Sequence, residues 1–293
     1  MQQRLAVALT LSVVLAGCAG PAPDPVASVA VSINRAEAAL GSPVEMSYQF
    51  SVFEDSQALT ADHRVFVHFV DLDGEIMWTD DHDPDPPTSS WESGRTISYD
   101  RTLFLPLYPY LGEASIVVGL YPTDGGERLV LLADDDGVGG YRVGTLQILP
   151  QSENVFLIFQ NGWHATEVAP DDPDVDWRWT QANATVTFRN PGEDVLVYLR
   201  MAGRPDLVGG TQGVSLQIDE QEVAQFLLET TQVELRRLPI TQEQLGTEEM
   251  VDLNIVVDGS FVPSERSATN AGDTRELGIR VFDIFVAKQG MIQ

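Results

Sequence analysis

The chain has one cysteine, Cys18, and one lysine, Lys288, among its 293 residues. A single thiol closes no bridge within the chain, so the stability of its domains has to come from packing. Basic side chains are scarce, 17 against 44 acidic ones, for a net charge of −27. Such a chain repels phosphate backbones and anionic lipid heads, which argues against nucleic acid as a partner. Long apolar runs are also missing. The longest, residues 5–16, is broken by Thr10 and Ser12 and falls short of the roughly 20 residues a membrane-spanning helix needs. No stretch carries the helical period of a long amphipathic helix. A Walker loop, a dinucleotide fingerprint, a Gly-x-Ser-x-Gly elbow and an HExxH pair are all absent, so no nucleotide, serine-hydrolase or zinc-protease chemistry announces itself.

What is present is β-structure. Short runs of β-branched, aromatic and alternating residues, separated by turn chemistry, predict an all-β protein. In the first half the expected strands are 26–33, 44–53, 65–71, 75–79, 96–104, 114–121, 128–132 and 141–149. Leu72-Asp73-Gly74 and Asp124-Gly125-Gly126 supply hairpin turns, because glycine takes positive φ without a Cβ clash. The pattern restarts near Pro150, with strands expected at 155–159, 177–180, 184–189, 195–202, 214–218, 221–228, 233–238, 250–257 and 277–286. One helical turn is expected over 241–245, after Pro239 and before Gly246. Two tandem β-sandwiches follow, residues 26–150 and 151–293.

Leu15-Ala16-Gly17-Cys18 resembles the lipobox of bacterial lipoproteins, preceded by Arg4 and the apolar run. The resemblance implies an export signal over residues 1–17, acylation of Cys18 with palmitate-type chains, and anchoring in the lipid bilayer outside the cytoplasm. An ordinary cleaved export signal with an incidental cysteine is the alternative. In the family pattern Ala19, in place of aspartate after the cysteine, favours the outer membrane where the cell has two. Residues 19–25, AGPAPDP, read as a proline-spaced tether about 20 Å long in extended form.

VFVHFVDLDGEIMWTDDHDP, PTSSW and VVGLYPTDGGERL, beginning at Val65, Pro87 and Val117, resemble an immunoglobulin-like accessory domain of extracytoplasmic glycosyltransferase-associated proteins and lipoproteins. NGWH, DWRWT, TFRNPGEDVLVYLRM and DTRELGIRVFDIFV, beginning at Asn161, Asp176, Thr187 and Asp273, resemble a jelly-roll or galactose-binding-like sandwich seen beside glycan-handling modules. These resemblances imply fold and compartment, and no agreed activity.

Several groups have the side chains for chemistry. Trp163, His164, Glu167, Trp177, Arg178 and Trp179 contain what a sugar site uses: indole faces for stacking, and arginine and carboxylate for hydroxyls. The competing reading makes Trp177 and Trp179, which share a strand face, core residues. His82 among Asp80, Asp81 and Asp83 could hold a transition metal, although no metal-binding spacing is present. Asp134-Asp135-Asp136-Gly137 and Asp171-Asp172-Pro173-Asp174 could ligate calcium, or simply cap solvated turns. Asp273 and Arg275 are expected to pair as scaffold. The sequence therefore predicts a non-catalytic envelope lipoprotein that binds a partner protein or an envelope glycan. A glycan-active hydrolase and a purely structural spacer are the alternatives.

Overall fold

The computed structural model describes residues 23–55, 59, 61–135, 139–151, 156–170, 172–266 and 272–288. The expected export signal and Cys18 lie outside them, as do Asp136, Gly137 and Asp171.

The first half contains β1 (Ala27–Ile33), β2 (Glu37–Ala39), β3 (Pro43–Val52), β4 (His63–Val70), β5 (Ile76–Thr79), β6 (Thr96–Phe104), β7 (Gly112–Pro122), β8 (Leu131–Leu132), β9 (Asp134–Asp135) and β10 (Tyr141–Leu149). One sheet runs β6-β3-β1-β8; the other runs β2-β10-β7-β4-β5, with β9 beside β10. The strands alternate as half-buried strands should: on β3, Val44, Met46, Tyr48 and Phe50 turn inward to meet Val65, Val67 and Phe69 of β4 and Ile116, Val118 and Leu120 of β7. Each large side chain buried in this way stabilises the fold by about 1.5–3 kcal/mol. Gly119 is needed on β7 because a Cβ there would run into the Phe66 ring and the Gly139 carbonyl.

The second half contains β11 (Ile158–Phe159), β12 (Glu167–Ala169), β13 (Asp172–Trp179), β14 (Asn183–Arg189), β15 (Val195–Ala202), β16 (Gln212–Ile218), β17 (Gln221–Leu228), β18 (Glu234–Ile240), β19 (Met250–Val257) and β20 (Arg280–Lys288). Its sheets run β11-β14-β19-β16-β17 and β12-β13-β20-β15-β18. They enclose a separate core of Val197, Leu199, Met201, Leu216, Leu253, Ile255 and Ile279, among others. The all-β expectation holds, as two pairs of stacked sheets. The expected break at 150–151 adjoins residues 152–155, which are outside the described residues.

Among the described residues, three helices of one turn decorate the second half: α1 (Pro205–Val208), α2 (Gln242–Leu245) and α3 (Pro263–Arg266). Only α2 was legible in advance, and Thr241 and Gln244 close a capping box on it. Two expectations are corrected. Asp134 and Asp135 form β9 against Tyr141 and Arg142, and Asp172 to Asp174 open β13, so the described parts of both acidic runs are strand and not turn. Pairing with a neighbouring strand overrides the local turn preference of aspartate. The last strand starts at Arg280; Leu277 makes only an isolated bridge with Phe261.

The two sandwiches touch along a defined seam. The outer face of β15 and β20 presents Tyr198, Phe285 and Ala287, covered by Phe104 of β6 and flanked by Leu196 and Leu235. Arg237 of β18 pairs with Glu45 of β3 at 3.0 Å and donates to Thr102 of β6. The chain enters the first sandwich at its far pole, where Val26 donates to the Val130 carbonyl and Ala27 faces Val52. It leaves at the seam pole, where Leu149 lies beside Ala39 and Leu40.

Candidate functional site

Strand β13 ends in Asp176-Trp177-Arg178-Trp179, and strand alternation sends the two indoles one way and Arg178 the other. Arg178 faces Val281 of β20, and Trp179 faces Arg280. Trp179 is buried with Phe261 and Leu277 in a small cluster outside the main core, and Trp177, Leu207 and Val208 pack on its edge. The Arg280 guanidinium lies over the rings of Trp177, Phe282 and Trp179, at 5.4, 5.6 and 5.8 Å from their centroids, within the range of a cation–π contact.

β20 carries a bulge here. Arg200 opposes Asp283 while Met201 opposes Val281, which leaves Phe282 as the extra residue. A bulge re-aims the side chain it carries, and Phe282 comes to lie 5.9 Å from Trp177. From the other sheet Phe159 approaches, half exposed, with Arg178 over its face at 4.8 Å and Trp163 against its edge. Phe159, Thr166, Asp176, Trp177, Arg178 and Phe282 line a pocket of about 140 Å³. Aromatic carbon, a guanidinium, a hydroxyl and a carboxylate converge there.

Of the six residues singled out in the sequence, Trp177 and Arg178 reach this pocket. The others surround it with their polar atoms committed. Trp163 donates its Nε1 hydrogen to the Thr185 carbonyl at 2.8 Å and packs on the core. His164 Nε2 meets the Glu276 carbonyl at 2.7 Å. Glu167 accepts from Trp179 Nε1 and from Arg275, at 3.3 and 2.7 Å. Arg275 also grips Asp273 through two hydrogen bonds, as expected of a scaffold pair, and they hold the Asp273 carboxyl down to about 2. Phe159, Thr166, Asp176 and Phe282 were not singled out. Phe282 depends on a bulge that no residue pattern announces, and Phe159 lies at the end of a two-residue strand.

The acidic group around His82 has a different use. His82 is buried between the sheets with Nδ1 at the Asp80 carbonyl, 2.8 Å, and Nε2 at the Tyr99 hydroxyl, 3.0 Å. Asp80 takes two hydrogen bonds from Arg101. Asp81 accepts from the Val67 amide and the Tyr121 hydroxyl, and Asp83 pairs with Arg64. Both imidazole nitrogens are engaged, so His82 would have to surrender a hydrogen bond to bind a metal. Among the described residues no group of three or more histidine, cysteine, aspartate or glutamate side chains is placed to hold a metal ion. This constellation latches the two sheets of the first sandwich, since Tyr99 and Arg101 belong to β6 while Asp80 and His82 follow β5. Burial, then the Arg101 charge, pushes the His82 pKa down to about 4.

No family model and no curated protein matches the chain. Among solved structures, it is similar to the CBM22-1-CBM22-2 tandem domain of Paenibacillus barcinonensis Xyn10C, at 12% identity over 85% of this chain and 79% of that one, with a TM-score of 0.28. It is also similar to SGBP-B of a Bacteroides ovatus mixed-linkage glucan utilization locus, at 14% identity over 88% and 53%, TM-score 0.27. A third likeness is to the CBM51-2 and INT domains of Clostridium perfringens ZmpB, at 10% identity over 61% of this chain, TM-score 0.26. The chain spans 38% of the length of that ZmpB structure.

Proposed function

We propose that the chain is a non-catalytic, lipid-anchored cell-envelope protein whose second sandwich binds a glycan in the pocket between β11, β13 and β20. One observation carries this reading: apolar rings and hydrogen-bonding groups of both kinds meet in a single concavity of about 140 Å³. A pyranose has an apolar face and a rim of hydroxyls, and the pocket offers a partner for each. Phe282 and Trp177 supply aromatic surface, Arg178 donates, Asp176 accepts and Thr166 does either. The pocket lining among the described residues has one carboxylate, Asp176, where acid–base cleavage of a glycoside uses a pair. This favours holding a glycan over cutting it. Cys18 and the tether would fix the first sandwich near a membrane by its far pole and present the second outward. Among the described residues no helix is long and apolar enough to cross a membrane.

The test is calorimetric titration of the full chain in detergent with a panel of envelope and plant-wall oligosaccharides. Phe282→Ala and Asp176→Asn should each weaken binding by about ten-fold or more, roughly 1.4 kcal/mol, with an unchanged circular dichroism spectrum. Absence of binding across the panel, or binding indifferent to both substitutions, overturns the assignment. Cys18→Ser should move the protein from the membrane to the soluble fraction.

A further inference from the structure

The pocket beside β13 and β20 is small, and its size bounds how much of a glycan it takes. Its volume is about 140 Å³, close to the roughly 150 Å³ that accommodates one benzene ring inside a protein. One six-membered ring fits, with its substituents reaching toward the mouth; a run of linked rings does not. The polar groups have the same reach. Asp176 and Arg178 both line the pocket, two residues apart on β13, or about 7 Å along a strand. One acceptor and one donor therefore meet hydroxyls of a single ring.

The surroundings do not extend the site. Stacking uses the face of a ring, so a groove for a polymer needs a row of open faces. Here each aromatic ring of the pocket already has a guanidinium over it: Arg178 over Phe159 at 4.8 Å, Arg280 over Trp177 at 5.4 Å, and both Arg280 and Arg200 over Phe282 at 5.6 Å. Arg280 and Arg200 do this from the outer face of the sheet, where Arg280 stands beside Trp179 and Arg200 beside Asp283. At most one face of each ring is left for a ligand. Trp179, the next indole along β13, is buried against Phe261 and Leu277 and offers no second platform. The nearby polar groups are engaged as well, His164 with the Glu276 carbonyl and Glu167 with Arg275 and Trp179. We propose that the pocket recognises one sugar unit, carried at the end of a chain or as a side branch, and not an internal stretch of polymer. The proposal rests on the glycan-binding reading of the same pocket and adds which part of a glycan is held.

The experiment titrates the full chain in detergent with cello-, xylo-, manno- and chito-oligosaccharides of two to six units. Xylan and mannan oligomers, with and without a single arabinosyl or galactosyl branch, form a second arm. If a chain end is held, a series that binds should keep its affinity within about three-fold from two to six units. If a branch is held, the branched oligomer should bind about ten-fold or more tightly than the bare one. Thr166→Trp, which fills the pocket with an indole from an exposed loop position, should abolish either kind of binding. Arg178→Gln should weaken it about ten-fold and serves if the tryptophan variant fails to fold. Affinity that climbs about ten-fold or more with the length of an unbranched series overturns the single-unit proposal and leaves the glycan-binding reading standing. Binding untouched by both substitutions, or failure of every saccharide, sinks both.

Discussion

At the scale of single residues, the first sandwich has an ionisable group where the pattern calls for oil. Inward positions of β6 read Ile97, Tyr99, Arg101 and Leu103, and Arg101 is tolerated there because Asp80 grips it twice. His82 completes the cluster as a neutral ring against Tyr48 and Tyr99. Its pKa is about 4 in the folded chain against 6.5 for a free imidazole, so as pH falls below 6.5 the unfolded chain takes up the proton first. Stability from this residue is therefore whole above pH 6.5 and is lost as pH drops toward 4, by on the order of 2–3 kcal/mol. Urea denaturation at pH 7.5 and 4.5 should show wild type losing more than His82→Gln between the two. Equal losses would mean that the ring is not held neutral. Neither Tyr99 nor Arg101 stood out in the sequence, because an arginine in a strand usually reads as solvent-facing. Their inward register is set by Ile97 and Leu103 on either side.

At the scale of elements, most strands were legible from alternation alone, and the failures have a common cause. β2, β9 and β12 are two or three residues long, too short to establish a period, and they exist because a longer neighbour offers open hydrogen bonds. The pocket suffers from the same limit. Trp177 and Arg178 stand on a strand whose end was visible, whereas Phe282 owes its position to a bulge fixed by the register of β15 against β20. Tight passages between elements are similarly silent until the structure is known. At Gly119 the backbone is ordinary, so alanine would normally stabilise the strand slightly. Here the added carbon meets Phe66 and the Gly139 carbonyl. Gly119→Ala should thus cost about 1–3 kcal/mol, measured as a shift in the denaturation midpoint, and no loss would mean that Phe66 can move aside.

At the scale of the whole molecule, a ladder of arginines and rings joins the pocket to the seam. Arg280 lies over Phe282, Arg200 lies between Phe282 and Phe104 at 5.6 and 6.0 Å, and Arg237 lies over Tyr198 at 5.9 Å. Phe104 belongs to the first sandwich and the others to the second, so the two units are held by stacking and by the Arg237 to Glu45 pair. The double variant Tyr198→Ala with Arg237→Ala should uncouple them. Wild type should melt in one calorimetric transition and the variant in two, with a larger radius of gyration by X-ray scattering. A single transition in both would show that the seam contributes no coupling.

The placement of β1 has a mechanical consequence. Its first residue stands at the far pole of the first sandwich and the seam at the opposite pole of that sandwich, while its seven residues run in register along β3. With the proposed anchor and glycan site both engaged, a pull between them would draw β1 along its own axis. Its rungs then share the load in shear and yield together at high force, whereas a strand peeled sideways would unzip one rung at a time. A strand set this way resists a pull along its axis far better than one that is peeled.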